Sequence, residues 1–462
     1  MSLSLTSRFA IAHLLLVFCL ATTARAQEPA AQELRLTLQQ ALRIALEKNP
    51  ALQQAANQVD SSGIAVAQRR SDFAPDLGVT LSGAERFDKE LDLDGDRDSR
   101  NFETVSGTLG SSVNLFNGFG DVAALRGTEW EWAGTRDSYT REEQTLVFTT
   151  LTAFLQALGD RELIVVRSEN LEGNRRQLEQ VEALYRAGNR PVSDLYQQQA
   201  ETGSAELDLL TAERNYVVAK LQLLQTIGLP PTTTVEPAAP DLAPLEAALV
   251  DRQQGAPDLA ALGQRADLQA GTKQIEASRE QVSEAQAGYW PTLDLSASIN
   301  SDYTSLIERN GFSDQFFDDN ANAAIGLSLA FPIFDRHQTR HQIAQARLRE
   351  SNARLSLRQN LLLAEAELGQ AVEDFRTAQK LVGVTESRLI AARQALAAVE
   401  ERYRVGAATL VELTQSRALF AEAGYDRVRA RFGLISRGAA IAYYQGDWPR
   451  LRDLLTLWEN LP

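Results

Sequence analysis

Apolar residues recur at spacings of three and four along two long, proline-free stretches of the chain, which is the pattern of an amphipathic helix. The first stretch runs from Phe119 to Ala187, and its apolar positions include Val147, Leu151, Phe154, Leu158, Leu171, Leu178, Val181 and Tyr185. A helix of this length would extend roughly 100 Å at 1.5 Å per residue. The pattern continues to Gly228, so the sequence predicts a long helical hairpin over 119–228 that must bury its apolar seam against another part of the protein.

The chain contains this arrangement twice. Tyr185-Arg186-Ala187-Gly188 recurs as Tyr403-Arg404-Val405-Gly406 at an offset of 218 residues, whereas Pro75 matches Pro291 at an offset of 216. Such a duplication predicts two structurally equivalent halves rather than two unrelated amphipathic helices that align by chance. The second hairpin is predicted over 335–445. Gly188 and Gly406 mark the turns, because glycine readily ends a helix in the left-handed conformation, and Pro191 suits the start of the returning helix.

Between the helices, polarity alternates with a period of two, which predicts strands at about 75–87, 102–116, 291–303 and 321–334. In the first strand Leu77, Val79 and Leu81 alternate with small polar residues, and the acidic segment 88–100 is predicted to be a loop. Each strand is long enough to cross a membrane at a tilt, with an apolar face toward lipid and a polar face toward a lumen. A pair of ordinary soluble hairpins is the alternative.

The start of the chain has the pattern of an export signal. Arg8 precedes an apolar run, and Ala24-Arg25-Ala26 is a small-x-small cleavage site, so we expect residues 1–26 to be a signal peptide. The only cysteine, Cys19, lies within it, which argues against disulfide chemistry in the mature protein. The chain has 46 basic and 61 acidic residues, and this acidic balance argues against nucleic acid as a partner.

These observations divide the chain into a first repeat at 27–228, a linker at 229–257, a second repeat at 258–445 and a C-terminal tail at 446–462. The linker follows Gly228 and contains Pro230, Pro231, Pro237, Pro240 and Pro244 within fifteen residues, so it is predicted to be extended rather than helical.

No motif for catalysis is present, which predicts that the protein is not an enzyme and uses no cofactor. His337 and His341 lie four residues apart, but two histidines without a nearby carboxylate make a poor metal site. The segment from Glu90 to Asp98 resembles a calcium loop, yet its twelfth position is Asn101 rather than the glutamate that such loops require. We therefore expect an acidic extracellular loop and no metal site.

A signal peptide followed by two repeats of helix, strand pair, long helix, glycine turn and helix resembles the TolC family of Gram-negative outer-membrane efflux and secretion channels. The most specific elements are the two turns, from Tyr185 to Leu195 and from Tyr403 to Leu413. The resemblance implies a mainly α-helical fold with a transmembrane β part, in which three chains form a twelve-stranded β-barrel on a periplasmic α-helical tunnel. Four strands from one chain could not close a barrel, which also favours a trimer.

The resemblance also implies roles for residues at the turns. Asp194, Tyr403 and Glu412 match acidic and tyrosine positions that hold the narrow periplasmic end shut in this family. Ala408 stands where some members have a gate arginine and Gln415 where some have a second acid, so Arg190 is the candidate replacement. The docking tips for a periplasmic adaptor would be Gly188, Val405, Gly406 and Ala407. Solvated carboxylates at the starts of helices are the alternative interpretation of Asp194 and Glu412.

The sequence therefore predicts a passive exit duct in the outer membrane of a Gram-negative bacterium, extending into the periplasm. An adaptor, also called a membrane fusion protein, would connect it to an inner-membrane pump or ABC transporter in a tripartite efflux or type I secretion system. The alternative is a periplasmic coiled-coil adaptor or scaffold without a membrane barrel.

Overall fold

The computed structural model describes residues 34–91, 97–250, 259–307 and 311–446. The predicted signal peptide, the centre of the acidic loop at 92–96 and the tail after residue 446 lie outside these ranges. The prediction of a mainly α-helical chain with a small β part is confirmed. In the first half, the elements are β1 Leu34–Leu36, α1 Leu38–Lys48, α2 Pro50–Ser71, β2 Gly78–Leu91, β3 Arg97–Phe116, α3 Gly120–Arg186 and α4 Val192–Thr226.

A connecting region with β4 Val235–Pro237 and α5 Ala243–Val250 leads to the second half. Its elements are the 3-10 helix Leu259–Gln264, α6 Ala266–Ala287, β5 Thr292–Thr304, β6 Asn322–Ala330, α7 Gln338–Arg404 and α8 Leu410–Gln445. Within the described ranges, no helix combines the length and the apolar character needed to cross a bilayer.

The two halves repeat each other closely. The long helices α3 and α7 each have 67 residues, and the second begins 218 positions after the first. The shorter helices α2 and α6 each have 22 residues and are 216 positions apart, so the two-residue drift arises in the β-hairpins between them. Both long helices start after a residue with positive φ, Phe119 at 65° and His337 at 63°.

The strands form one antiparallel sheet of four in the order β2-β3-β5-β6. The prediction of a loop over the whole of 88–100 is wrong, because β2 and β3 remain paired as far as Leu91 and Arg97. Beyond Thr104, where β3 stops pairing with β5, β2 and β3 continue as a two-stranded hairpin through backbone pairing. The last strand, in contrast, ends at Ala330 rather than at the predicted residue 334.

The connecting region is more ordered than its prolines predict. Its strand Val235–Pro237 pairs in parallel with Leu34–Leu36 from the start of the first half. Helix α5 is held by Glu246, whose carboxylate lies 2.8 Å from Arg427 and 3.0 Å from Arg431 on α8. A short edge strand tolerates proline because its outer N–H needs no partner, which explains why the proline-rich sequence was misleading.

The main core lies around the middle of the long helices, where α1, α5 and the 3-10 helix pack against them. Phe154, Phe375, Leu223, Leu262 and Leu434 are among its fully buried side chains. A second, smaller apolar cluster lies at the far end of the hairpins, next to the two turns, and consists of Val181, Tyr403, Ala408, Leu410 and Leu413.

Candidate functional site

Both hairpin turns have the same backbone geometry. Gly188 and Gly406 have φ angles of 76° and 77°, and nothing lies within 4 Å of where a β-carbon would be at either residue. The N–H of Asn189 donates to the carbonyl of Leu184 at 2.9 Å, and the N–H of Ala407 donates to that of Arg402 at 2.7 Å. These bonds close each helix in a Schellman-type cap that requires a left-handed residue, as the sequence predicts for glycine.

The predicted docking residues lie on the surface of these turns. Gly188, Gly406 and Ala407 are exposed, and Val405 is 69% exposed. An apolar side chain held out on a rigid turn is available for contact with another protein.

Three of the predicted gate residues meet in the structure. The guanidinium of Arg190 lies 3.6 Å from the carboxylate of Asp194, four residues later in the same turn. Its central carbon also lies 4.7 Å from the ring centroid of Tyr403, which belongs to the second hairpin. Arg190 therefore connects the first turn to the second through an ion pair and a cation–π contact.

Tyr403 is only 5% exposed, and among the described residues its hydroxyl has no hydrogen-bond partner. Burial raises the pKa of this hydroxyl above its ordinary value; Arg190 opposes the shift and Asp194 reinforces it. The tyrosine is therefore neutral and packs as an aromatic ring, with Leu410 and Leu413 in the same cluster.

Within one chain, Glu412 lies apart from this group. It pairs with Arg402 across its own turn at 3.3 Å, and its backbone N–H is capped by the hydroxyl of Thr409. Both side chains of this ion pair are about half exposed, so it contributes little to stability. Sequence analysis missed Arg402. A basic residue before the turn and an acidic residue after it could have indicated this ion pair.

Sequence analysis also missed a polar layer inside the first hairpin. Asn174, Gln198 and Thr202 are buried between α3 and α4, and Gln177 is buried on the side of α3 that faces Tyr403. The Gln198 amide donates to the side chain of Asn174 at 3.2 Å, whereas Gln198 Oε1 and Gln177 Nε2 have no hydrogen-bond partner among the described residues. In the sequence, Asn174 lies between Leu171 and Leu178 at the spacing of three and four, which was the signal for this layer.

A groove of about 840 Å³ runs above the turns between α3 and the pair α7 and α8. Apolar residues such as Leu389, Leu396 and Phe420 line it, with charged residues of both signs around them. Arg417 joins its two sides, donating to the carbonyl of Gly173 at 2.8 Å and to Glu400 at 2.9 Å. In the described ranges, no cluster of three or more histidine, cysteine or acidic residues is arranged to hold a metal ion.

Comparison with known proteins identifies a family and several relatives that match this chain. A model of the outer membrane efflux protein family matches residues 41–229 and 260–439. The outer membrane protein TolC of Escherichia coli (strain K12) is 25% identical over 399 residues, which are 84% of this chain and 77% of TolC. Protein CyaE of Bordetella pertussis is 26% identical over 416 residues, 90% of this chain and 85% of CyaE.

The fold is also that of solved channels. The crystal structure of the outer membrane protein VceC from Vibrio cholerae matches with a TM-score of 0.74 at 21% identity, covering 88% of this chain and 96% of VceC. The family consists of channel proteins rather than enzymes. Because the family match spans both repeats, the prediction of a TolC-like protein in the outer membrane, an exit duct for efflux or secretion, is confirmed. The chain belongs to the outer membrane efflux protein family.

Proposed function

We propose that three copies of this chain close into a twelve-stranded barrel in the outer membrane, continuous with a helical tunnel in the periplasm. The open sheet carries this proposal. In the described part of one chain, β2 and β6 each have an unpaired edge, and unpaired backbone groups are not tolerated in lipid. Three sheets joined edge to edge give an even number of strands within the range of outer-membrane barrels.

The two faces of the sheet support a lipid exterior and a wet interior. Ile325, Leu327 and Leu329 share one face, and Leu327 is 65% exposed although it is a large apolar side chain. The opposite face has hydroxyl groups, such as those of Ser82 and Ser106, which hydrogen-bond to each other at 2.7 Å. An apolar band outside and small polar side chains inside are typical of a barrel with a water-filled lumen.

The long helices also have an apolar seam that one chain leaves uncovered. Leu348, Leu355 and Leu362 follow one another on α7 at intervals of seven, and all three are exposed. Leu207, Leu210 and Val217 are exposed on α4. An interval of seven is the repeat of a coiled-coil seam, so neighbouring copies would bury these residues and form the wall of the tunnel.

At the periplasmic end, the two turns of each copy would narrow the tunnel. Asp194 and Glu412 from three copies would place six carboxylates around the opening, and such a ring favours cations. Arg190 would take the place of the missing gate arginine, holding Asp194 and Tyr403 together within each copy. Its contacts at 3.6 and 4.7 Å support this role.

The exposed tips at Gly188, Val405, Gly406 and Ala407 would contact a periplasmic adaptor, which recruits an inner-membrane pump or ABC transporter. The groove above the tips offers further surface for the same partner, since its apolar floor and mixed charges resemble a protein interface. The duct itself is passive, and the energy for export comes from the pump.

The molar mass of the protein in mild detergent tests the trimer. We expect one species of three chains, and Leu327→Arg should weaken it by about 2–4 kcal/mol if this residue lies near mid-bilayer. Ser328→Arg, on the other face, is the matched control and should have a much smaller effect. A stable, monodisperse monomer of the unaltered chain would contradict the proposal.

A further inference from the structure

The segment 311–320, between β5 and β6, folds back over the sheet and is fixed there by one buried side chain. Gln315 is 1% exposed; its oxygen accepts from the N–H of Thr304 at 3.0 Å, and its nitrogen donates to the carbonyls of Thr304 and Ile307. Strand β6 begins only at Asn322, opposite Asn300, so among the described residues no strand pairs with β5 on that side near Thr304. The amide of Gln315 replaces the missing strand and gives the segment a defined position.

The segment lies on the apolar face of the sheet. The ring of Phe316 covers Gly107, where an added β-carbon would be 2.6 Å from Phe316 Cζ, and the hydroxyl of Ser301 donates to the carbonyl of Phe316. Gly107 is directly opposite Ser301 on one side and Leu81 on the other, so all three share a face. That face continues toward the helices through Leu109, Ile299, Leu295 and Leu327.

The position along the strand corresponds to a membrane boundary. Ser301 is nine residues beyond Thr292, where β5 begins near the helical part. At 3.3 Å per residue and a tilt of about 40°, this stretch rises roughly 23 Å, close to the ~25 Å apolar band of an outer-membrane barrel. Phe316 therefore lies near the outer edge of such a band.

Aromatic residues concentrate at this edge. Neighbouring ring centroids are 5.1 Å apart for Tyr303 and Phe312, 5.2 Å for Phe312 and Phe316, and 5.3 Å for Phe316 and Phe317. Phe316 is partly covered by the sheet, whereas Phe317 is 68% exposed and Phe312 is also exposed. Aromatic rings are favoured at the level of lipid headgroups, where an apolar ring meets a polar boundary.

We propose that residues 311–320 anchor the protein at the lipid–water boundary of the outer leaflet. Phe316 docks on Gly107, and Phe312 and Phe317 insert between lipid headgroups and acyl chains. The segment lies on the face opposite the hydroxyl-lined one and therefore does not cover the lumen. This inference rests on the proposed barrel, because only a barrel makes the apolar face a lipid surface.

Spin labels on single cysteines test the anchor. In a Cys19→Ser background, labels at Phe317→Cys, Leu327→Cys and Ser82→Cys are compared in the full-length protein, reconstituted in phosphatidylethanolamine–phosphatidylglycerol vesicles. The measurement is the accessibility to oxygen, which partitions into lipid, relative to a water-soluble nickel chelate. We expect the Phe317 label to lie between the Leu327 and Ser82 labels and nearer to Leu327. Phe312→Cys provides a second label site in case Phe317→Cys does not fold.

The outcomes separate the anchor from the barrel. A water-accessible label at Phe317, with Leu327 in lipid, would overturn the anchor and leave the barrel intact. A water-accessible label at Leu327 would overturn both.

The contact with Gly107 provides an independent check. Gly107→Val should push Phe316 away and move the Phe317 label toward water, whereas Gly83→Val is the matched control. Gly83 shares the same face, and its nearest neighbour to an added β-carbon is 3.9 Å away. An unchanged Phe317 label in Gly107→Val would show that this packing does not hold the segment.

Discussion

The two helical hairpins have nearly the same length and the same turn geometry, but their interiors differ near the turns. In the first hairpin, Asn174, Gln177, Gln198 and Thr202 are buried. The equivalent positions of the second hairpin, 218 residues later, are occupied by Ala392, Ala395, Ser416 and Phe420. Buried polar atoms without partners cost free energy, whereas an apolar cluster gains it. The end of the second hairpin instead contributes Tyr403, Leu410 and Leu413 to the apolar cluster, so we expect the first hairpin end to open more easily than the second.

This difference bears on the two roles that the sequence predicts for the turns, namely closing the gate and docking the adaptor. Arg190, in the first hairpin, reaches across to Tyr403 in the second one. Among the described residues, Arg402 in the second hairpin pairs with Glu412 across its own turn and donates to the carbonyl of Ala407. For the proposed gate and docking surface, we therefore expect the first turn to act as the releasable latch and the second turn as the firmer support.

The largest expected effect comes from the proposed docking surface at the second turn. Gly406→Trp should abolish export while leaving the trimer and its insertion in the membrane intact, because the bulky ring projects from an open position. Gly406→Ala is the matched control, since it carries the strain of a positive φ, about 1 kcal/mol, without the bulk. Normal export by Gly406→Trp at a normal protein level would show that this tip is not part of the interface.

The rigidity of the second hairpin depends on its apolar cluster. Leu413 is 1% exposed, so Leu413→Ala should weaken the hairpin end by about 2–5 kcal/mol through lost burial and a cavity. Hydrogen exchange of the amides in 396–413 should become correspondingly faster. Leu419→Ala, at a 49% exposed position of the same helix, should change it little. Equal effects of the two substitutions would show that the cluster does not stabilise this end.

The buried tyrosine predicts a response to alkaline pH. Because burial raises the pKa of Tyr403 in the folded state, the stabilisation is complete below the ordinary tyrosine pKa of about 10 and is lost as pH rises above it. Hydrogen exchange near the turns should therefore accelerate above this pH in the unaltered protein. In Tyr403→Phe the additional acceleration should disappear. If both proteins respond alike, ionisation of another group is responsible.

The smallest expected effect concerns the polar layer. Gln177→Met removes a buried amide nitrogen that has no hydrogen-bond partner among the described residues. The free energy of opening of the first hairpin should rise by up to about 1 kcal/mol, and hydrogen exchange there should slow accordingly. Gln180→Met, at an exposed position of the same helix, is the control. Faster exchange in Gln177→Met would mean that this amide makes a hydrogen bond, for example with Tyr403, that outweighs its burial.

Sequence patterns were sufficient to place an element where the hydrophobic periodicity continued without interruption. The long helices differ from their predicted limits by a few residues at most, since the spacing of three and four continues along α3 and α7. The ends of β2 and β3 were misplaced because the segment 88–100 is rich in charged residues, which suggest a loop, whereas backbone pairing of the two strands does not depend on those side chains. The polar layer was missed because a lone asparagine in an apolar seam does not indicate which helix will face it.

At the candidate site, too, the sequence was sufficient for some features and not for others. Gly188 and Gly406 could be placed from sequence because a tight helical end demands a left-handed residue. Arg190 could be named as a candidate, but its contact with Tyr403 joins residues more than 200 positions apart. Only the packing of one hairpin against the other brings these two side chains together.

The most direct test of this account is the conductance of single channels in planar bilayers. Arg190→Ala should raise the conductance, because the ion pair with Asp194 and the contact with Tyr403 are both lost. Arg402→Ala, which breaks an ion pair within one hairpin, is the matched control and should leave the conductance nearly unchanged. Asp194→Ala combined with Glu412→Ala should also lower the preference for cations. Unchanged conductance in Arg190→Ala, or an equal rise in both arginine variants, would contradict a latch in the first turn.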